Sequence, residues 1–190
     1  NLQGHEGETV EVWAYSNCDE VELIVNGKKL GRQTMPKNGH LKWKAVYQPG
    51  KVVAIGYKNG KRMLTKQVET TKPAYKIVMK TDRQTISADG RDVAVVTVEV
   101  QDAKGRIVPD ACPKLTFKLS GDGKILGVGN GDPSYLGADH PSHNDCHEFS
   151  IPAFNGLAQV IIQSSRNSSA LQLRGEANEL KAGELTITTK

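Results

Sequence analysis

The chain has 190 residues, more than the roughly 100–150 of a typical single domain, so it accommodates two modest domains or one large one. Hydrophobic residues make up 37% and charged residues 24%, which suits a folded globular chain rather than a disordered one. Apolar runs are only a few residues long, as at Val160-Ile161-Ile162, far from the roughly 20 of a membrane span; the net charge of +4 comes from scattered lysines without clustered aromatics, which argues against nucleic acid.

Period-two alternation recurs along the whole chain, and helical periodicity is almost absent. The sequence opens at Asn1 without a Met or a signal segment, which reads as a mature form or an excised fragment. Trp13 shares a face with Glu11 and Tyr15 and is expected at the surface, while Cys18 reads as a small buried apolar side chain. Val21, Leu23 and Val25 face one way, and Glu20 and Glu22 the other. Asn26-Gly27 then supplies the positive φ angles of a type I′ hairpin. Leu41, Trp43, Ala45 and Tyr47 oppose Lys42 and Lys44, which places Trp43 in a core. Pro49-Gly50 marks a turn, and Asn59-Gly60 predicts a second type I′ hairpin.

A boundary is expected near Thr70-Thr71-Lys72-Pro73, because Pro73 cannot donate to a ladder and makes a short stiff joint. About six short strands lie before it and about eight after it, dividing the chain into domains 1–72 and 73–190. A new alternating run starts at Tyr75-Lys76-Ile77-Val78-Met79. Asp89-Gly90 and Lys104-Gly105 punctuate the second domain. Ala94, Val96, Val98 and Val100 oppose Thr97, Glu99 and Gln101; Leu115, Phe117 and Leu119 oppose Lys114, Thr116 and Lys118. One buried and one wetted face per strand, with no helical segments between strands, predicts an all-β chain of antiparallel sandwiches.

The stretch from Asp132 to Glu148 differs from the rest. His140, His143 and His147, with Cys146 and several carboxylates, are the residue types that hold zinc. The spacing His140-x-x-His143-x-x-x-His147 matches no established site, however, and no helix aligns the ligands, so a long polar loop is the plainer reading. Loops of this length in compact domains are more often functional than idle, which makes Asp132, Tyr135, Asp139, His140 and His143 candidates for an interface or ligand loop. Asp132 with Glu148 could be imagined as an acid/base pair, but such a pair must be held rigidly, and Asn130-Gly131-Asp132 reads as turn chemistry.

Three cysteines, none in a CxxC pair, argue against a zinc ribbon or redox motif. A bridge between Cys112 and Cys146 would close a loop of about 35 residues and contribute roughly 4 kcal/mol; the odd count weighs against it. Trp13, Trp43, Tyr15, Tyr47 and Tyr57 raise carbohydrate stacking as an option, with Trp13 the better surface candidate.

Tyr15-Ser16-Asn17-Cys18-Asp19-Glu20-Val21-Glu22-Leu23, continued by Asn26-Gly27-Lys28 and Leu30-Gly31, resembles the strand–turn–strand signature of domains that come after the catalytic barrel in family 2 glycoside hydrolases, in particular the β-galactosidase branch. Leu41-Lys42-Trp43, Tyr47-Gln48-Pro49-Gly50 and Gly56-Tyr57-Lys58-Asn59-Gly60-Lys61 continue the resemblance in order, although Leu2 stands where the family usually has Trp. In the second half, Ala88-Asp89-Gly90-Arg91-Asp92, Val100-Gln101-Asp102-Ala103-Lys104-Gly105 and Asn155-Gly156-Leu157-Ala158 resemble bacterial Ig-like domains. Gly127-Val128-Gly129-Asn130-Gly131-Asp132-Pro133 and Phe154-Asn155-Gly156 are similar to the last domain of these β-galactosidases.

The resemblance implies two consecutive Ig-like antiparallel β-sandwich domains, without catalytic residues, cofactor or metal of their own. They would belong to a bacterial, periplasmic or secreted enzyme. A retaining enzyme of this kind uses two glutamates on the barrel, about 5 Å apart, so both lie outside this chain. The implied partners are the barrel of the same polypeptide and another subunit or a carbohydrate. The competing reading is a carbohydrate-binding or adhesin-type Ig-like binding module.

Overall fold

The computed structural model describes residues 1–142 and 145–190, and it divides into two compact units, Asn1–Thr70 and Thr71–Lys190. No helix occurs among the described residues, and so none is long and apolar enough to cross a membrane.

Unit 1 contains β1 (Thr9–Ala14), β2 (Glu20–Val25), β3 (Lys28–Thr34), β4 (Leu41–Val46), β5 (Lys51–Lys58) and β6 (Lys61–Glu69). β1 and β4 pair as a two-stranded antiparallel sheet, while β3-β2-β5-β6 form a four-stranded one. Val21 and Leu23 of the larger sheet meet Leu41 and Trp43 of the smaller one in the core, with Val12, Ala14, Val52 and Ala54 packed around them. This is a sandwich closed by alternate side chains, as the period-two pattern requires. Both hairpin predictions hold: Asn26 and Gly27 have φ of 49° and 81°, and Asn59 and Gly60 have 49° and 72°. Cys18 is buried as expected, in the bend before β2 rather than within a strand.

The two sheets of unit 1 are unequal. No residue of β6 is buried or belongs to the core cluster. Leu64 pairs with Gly56, and Val68 with Val52, on the face that carries Val21 and Leu23; yet Leu64 is 48% and Val68 66% exposed.

Unit 2 contains β7 (Lys76–Thr81), β8 (Thr85–Ile86), β9 (Val93–Gln101), β10 (Lys114–Ser120), β11 (Gly123–Gly129), β12 (Glu148–Pro152), β13 (Leu157–Ser164), β14 (Ala170–Glu176) and β15 (Gly183–Thr189). One sheet runs β12-β10-β14-β15-β8 and the other β11-β13-β9-β7; all pairs are antiparallel except β15 with the two-residue β8. Val96, Val98, Val160 and Ile162 of one sheet face Leu115, Phe117, Leu171 and Ile187 of the other in one large core.

One alternation departs from expectation. Glu99 and Gln101 belong to the wetted face by parity, and Thr97 is exposed there, but Glu99 and Gln101 are buried. The chain entering at Lys72–Tyr75 and the turn returning through Arg106–Ile107 run alongside this end of β9: Tyr75 N donates to Gln101 O, and Gln101 bridges to Ile107. The buried polar groups are satisfied, since Glu99 accepts from Lys80 Nζ at 2.7 Å and from Gln101 Nε2 at 2.5 Å.

Candidate functional site

Among the described residues, three places stand out as candidates. The first lies on the outer face of the β1–β4 sheet. Register places Trp13 opposite Lys42 and Glu11 opposite Lys44. On the reverse of the same strands Val12, Ala14, Leu41 and Trp43 fill the core, so the outward residues stand on a rigid base. The Trp13 ring stacks on His40 with centroids 4.5 Å apart and planes 18° from parallel, and Tyr15 approaches His40 at 5.2 Å. Lys42 Nζ lies 4.1 Å from the Trp13 ring centroid, and Trp13 Nε1 donates to Glu11 Oε2 at 2.9 Å. Trp13 remains 48% and Tyr15 70% exposed, which agrees with the surface position expected for Trp13. His40 is the part that alternation does not reveal, because it precedes β4.

The second place is the 18-residue connection between β11 and β12, residues 130–147. Gly131 has φ of 77°, and Asp132 binds local backbone as expected of turn chemistry: Asp132 Oδ1 accepts from Ser134 Oγ at 2.7 Å and Ser134 N at 2.8 Å. Those two donors hold the Asp132 carboxyl below the usual carboxylate range, so it is an anion and not a general acid near neutrality. Asn130 Nδ2 donates to Pro152 O, and Tyr135 packs against the core. Asp139 O accepts from Val128 N at 2.7 Å, which returns the loop along the end of β11. Its side chain pairs with His140 Nδ1 at 2.6 Å, and both groups are exposed. Leu136 stands at 98% exposure.

The zinc-type residues are dispersed. His147 is engaged elsewhere, its Nε2 with Asp145 at 3.1 Å and its Nδ1 with Leu119 O at 3.2 Å. His143 lies outside the described residues. Among the described residues no three His, Cys, Asp or Glu side chains gather as a metal site. Glu148 begins β12, on the exposed side opposite Lys118.

Cys112 and Cys146 are both free in the structure, contrary to the bridge that the sequence allows. The reason lies in the register. His147, next to Cys146, is held through its carbonyl to Leu119 N at the far end of β10, whereas Cys112 precedes the start of that strand. Seven residues of extended chain separate the two ends, roughly 20 Å, against about 4.4–6.8 Å between the Cα atoms of a disulfide. Cys146 Sγ contacts Glu148 O at 3.2 Å instead.

The third place is a shallow groove of about 770 Å³ on the outer face of the five-stranded sheet, lined by Lys114, Thr116 and Lys118 of β10, Glu148 of β12 and Arg174 and Glu176 of β14. Its charges largely cancel. Glu176 accepts from Arg174 Nε at 2.6 Å and from Lys118 Nζ at 3.0 Å, and these partners hold its carboxyl below its ordinary range.

Unit 2 also holds a buried ion pair. Asp102 has no exposed surface; burial alone would raise its pKa. Against burial stand Arg106, through Nε at 2.8 Å and Nη2 at 2.5 Å, and the backbone N–H groups of Lys72, Lys104 and Arg106. Together they hold the carboxyl well below the usual range. This group is structural. It ties the incoming chain at Lys72 to the turn after β9.

Comparison with known proteins fits these observations. Residues 77–186 match the family described as glycoside hydrolase family 2 C-terminal domain 5, and residues 7–64 match a domain of unknown function. The beta-galactosidase BoGH2A of Bacteroides ovatus is 34% identical over 186 residues, covering 97% of this chain and 21% of that protein. A beta-glucuronidase of Formosa agariphila is 37% identical over 180 residues, covering 93% of this chain and 17% of that protein. A solved structure of a glycosyl hydrolase family 2 member from Bacteroides cellulosilyticus superposes with a TM-score of 0.92 at 31% identity, over 99% of this chain and 25% of that one. The chain thus spans about a fifth of the length of these curated relatives. With more than half of its residues matching that family, the chain belongs to glycoside hydrolase family 2, as part of the C-terminal region of such enzymes.

Proposed function

We propose that the chain is a non-catalytic accessory region of a retaining β-galactosidase-type glycosidase, and that its sandwiches pack against the catalytic barrel of the same polypeptide. The two catalytic glutamates then reside outside residues 1–190, in an enzyme of the bacterial periplasm or exterior. Residues 1–72 and 73–190 act as successive modules, and the loop carrying Asp132, Tyr135, Asp139 and His140 faces the barrel mouth or a neighbouring subunit.

The observation that supports this most is β6. Apolar side chains left bare on the core-facing side of a strand, here on either side of Lys66, suit a neighbour that covers them, because in water they gain nothing from their hydrophobicity. Leu64 and Val68 lie on the core-facing side of β6 and yet are about half or more exposed. The relatives' length is consistent with such a neighbour, since about four fifths of each lies beyond the part that matches.

The test compares two proteins. Leu64→Thr with Val68→Thr keeps strand-forming side chains while removing most of the apolar surface. In the full-length enzyme the pair is expected to lower Tm by several degrees; in the isolated chain it is expected to change Tm little. Equal small effects in both would refute the packing.

A further inference from the structure

The outer face of the β1–β4 sheet has a composition that the accessory reading does not use. Its rings are not scattered: Trp13 stacks on His40, and Tyr15 meets the same His40 ring at a tilt of 37°. Its cations are unpaired, since neither Lys42 nor Lys44 reaches a carboxylate within ion-pair distance among the described residues, although Glu11 lies opposite Lys44. Glu11 is instead engaged by the Trp13 indole N–H. The charge left on offer is positive.

The size of this face limits the occupant. Six residue pairs on two strands give an area of roughly 20 by 10 Å, about 200 Å², whereas a stable protein interface takes about 800 Å² from each partner. A protein docking here alone would be undersized. A short run of sugar rings would not.

We propose that this face binds a glycan bearing carboxylates, of the uronic-acid class. The apolar C–H face of a pyranose lies on the exposed Tyr15 and Trp13 rings, and the sugar carboxylate pairs with Lys42 and Lys44. Lys42 rests on the Trp13 ring by cation–π attraction, which is weak at an exposed site and held by a flexible stem. The amine swings from the ring to the carboxylate, uncovering the ring for the sugar in the same movement. The core on the reverse of β1 and β4 keeps the remaining groups in place.

Titration of the 190-residue chain with oligogalacturonate, and with the same oligomer after reduction of its carboxyl groups to alcohols, tests the proposal by calorimetry. Saturable binding of the oligogalacturonate is expected, with affinity falling about tenfold in Trp13→Ala or Tyr15→Ala and by a similar factor in Lys42→Gln. Added salt weakens it. The reduced oligomer binds more weakly than the acid. Tyr15→Ala removes a side chain outside the core, so retained thermal stability in that variant separates lost binding from lost folding. The full-length enzyme is expected to show the same Tyr15-dependent component. No saturable binding up to about 10 mM, equal binding of the reduced oligomer, indifference to all three substitutions, or loss of the component in the full-length enzyme would each overturn the proposal.

Discussion

Replacing Asp102 with Ala tests how much of unit 2 depends on one buried charge. The carboxylate has no exposure and accepts five N–H groups: three from the backbone of Lys72, Lys104 and Arg106, and two from the Arg106 guanidinium. Ala leaves all of them without that acceptor and leaves Arg106, whose side chain is 20% exposed, without this counter-ion. Five separate penalties of roughly 1–3 kcal/mol would overstate the loss, because the Lys104 and Arg106 groups lie on a turn that can open to water. The value for breaking a buried pair, about 3–5 kcal/mol, is the better guide. In a domain of this size that corresponds to a Tm loss of roughly 10–25 °C. Asp102→Asn, which keeps one acceptor oxygen, should lose less. Urea unfolding monitored by far-UV circular dichroism is the suitable assay, since Trp13 and Trp43 both lie in unit 1 and do not report on unit 2. Because the folded pKa lies below the unfolded value of about 3.9, the stabilisation is present at about pH 5 and above; it fades as pH falls through the folded value. A loss under about 1 kcal/mol for Asp102→Ala at about pH 7 would refute the reasoning, by showing that desolvation already offsets the pairing.

Close approaches set the remaining outcomes. A Cβ on Gly56 would sit 2.6 Å from Cys18 Sγ and 3.3 Å from Leu64 Cγ, so Gly56→Ala should cost about 1–3 kcal/mol by denaturation, with part of it recovered in the double variant Gly56→Ala/Cys18→Ala. Gly156 has φ of 75°, and a Cβ there would lie 2.3 Å from Val108 O, so Gly156→Ala should destabilise unit 2 by more than about 1 kcal/mol, measured as a lower urea midpoint with unchanged slope. Thiol titration of denatured, unreduced protein should count three free cysteines, as the structure has them; a count of one would mean a bridge.

Alternation made the sandwiches legible because each strand buries one face. Val21, Leu23 and Trp43 are in the core, as their parity requires, and the two Asn-Gly turns adopt the φ angles their chemistry favours. Parity failed at Glu99 and Gln101, where neighbouring chain covers a face that a strand by itself would leave wet. Local pattern says nothing about which segment returns to cover it. The same limit explains the site. Trp13 and Tyr15 were readable as surface aromatics, but His40 joins them only through the β1–β4 register, across 25 or more residues of sequence. The separation of Cys112 from Cys146 likewise depends on which end of β10 the long loop meets, a long-range fact that cysteine counting cannot supply.

The most direct check of the accessory role is turnover. The purified 190-residue chain and the full-length enzyme, assayed side by side at equal molarity with a chromogenic galactoside, should differ absolutely: release by the enzyme, and none above background by the chain. Galactose release by the purified chain alone would contradict the account.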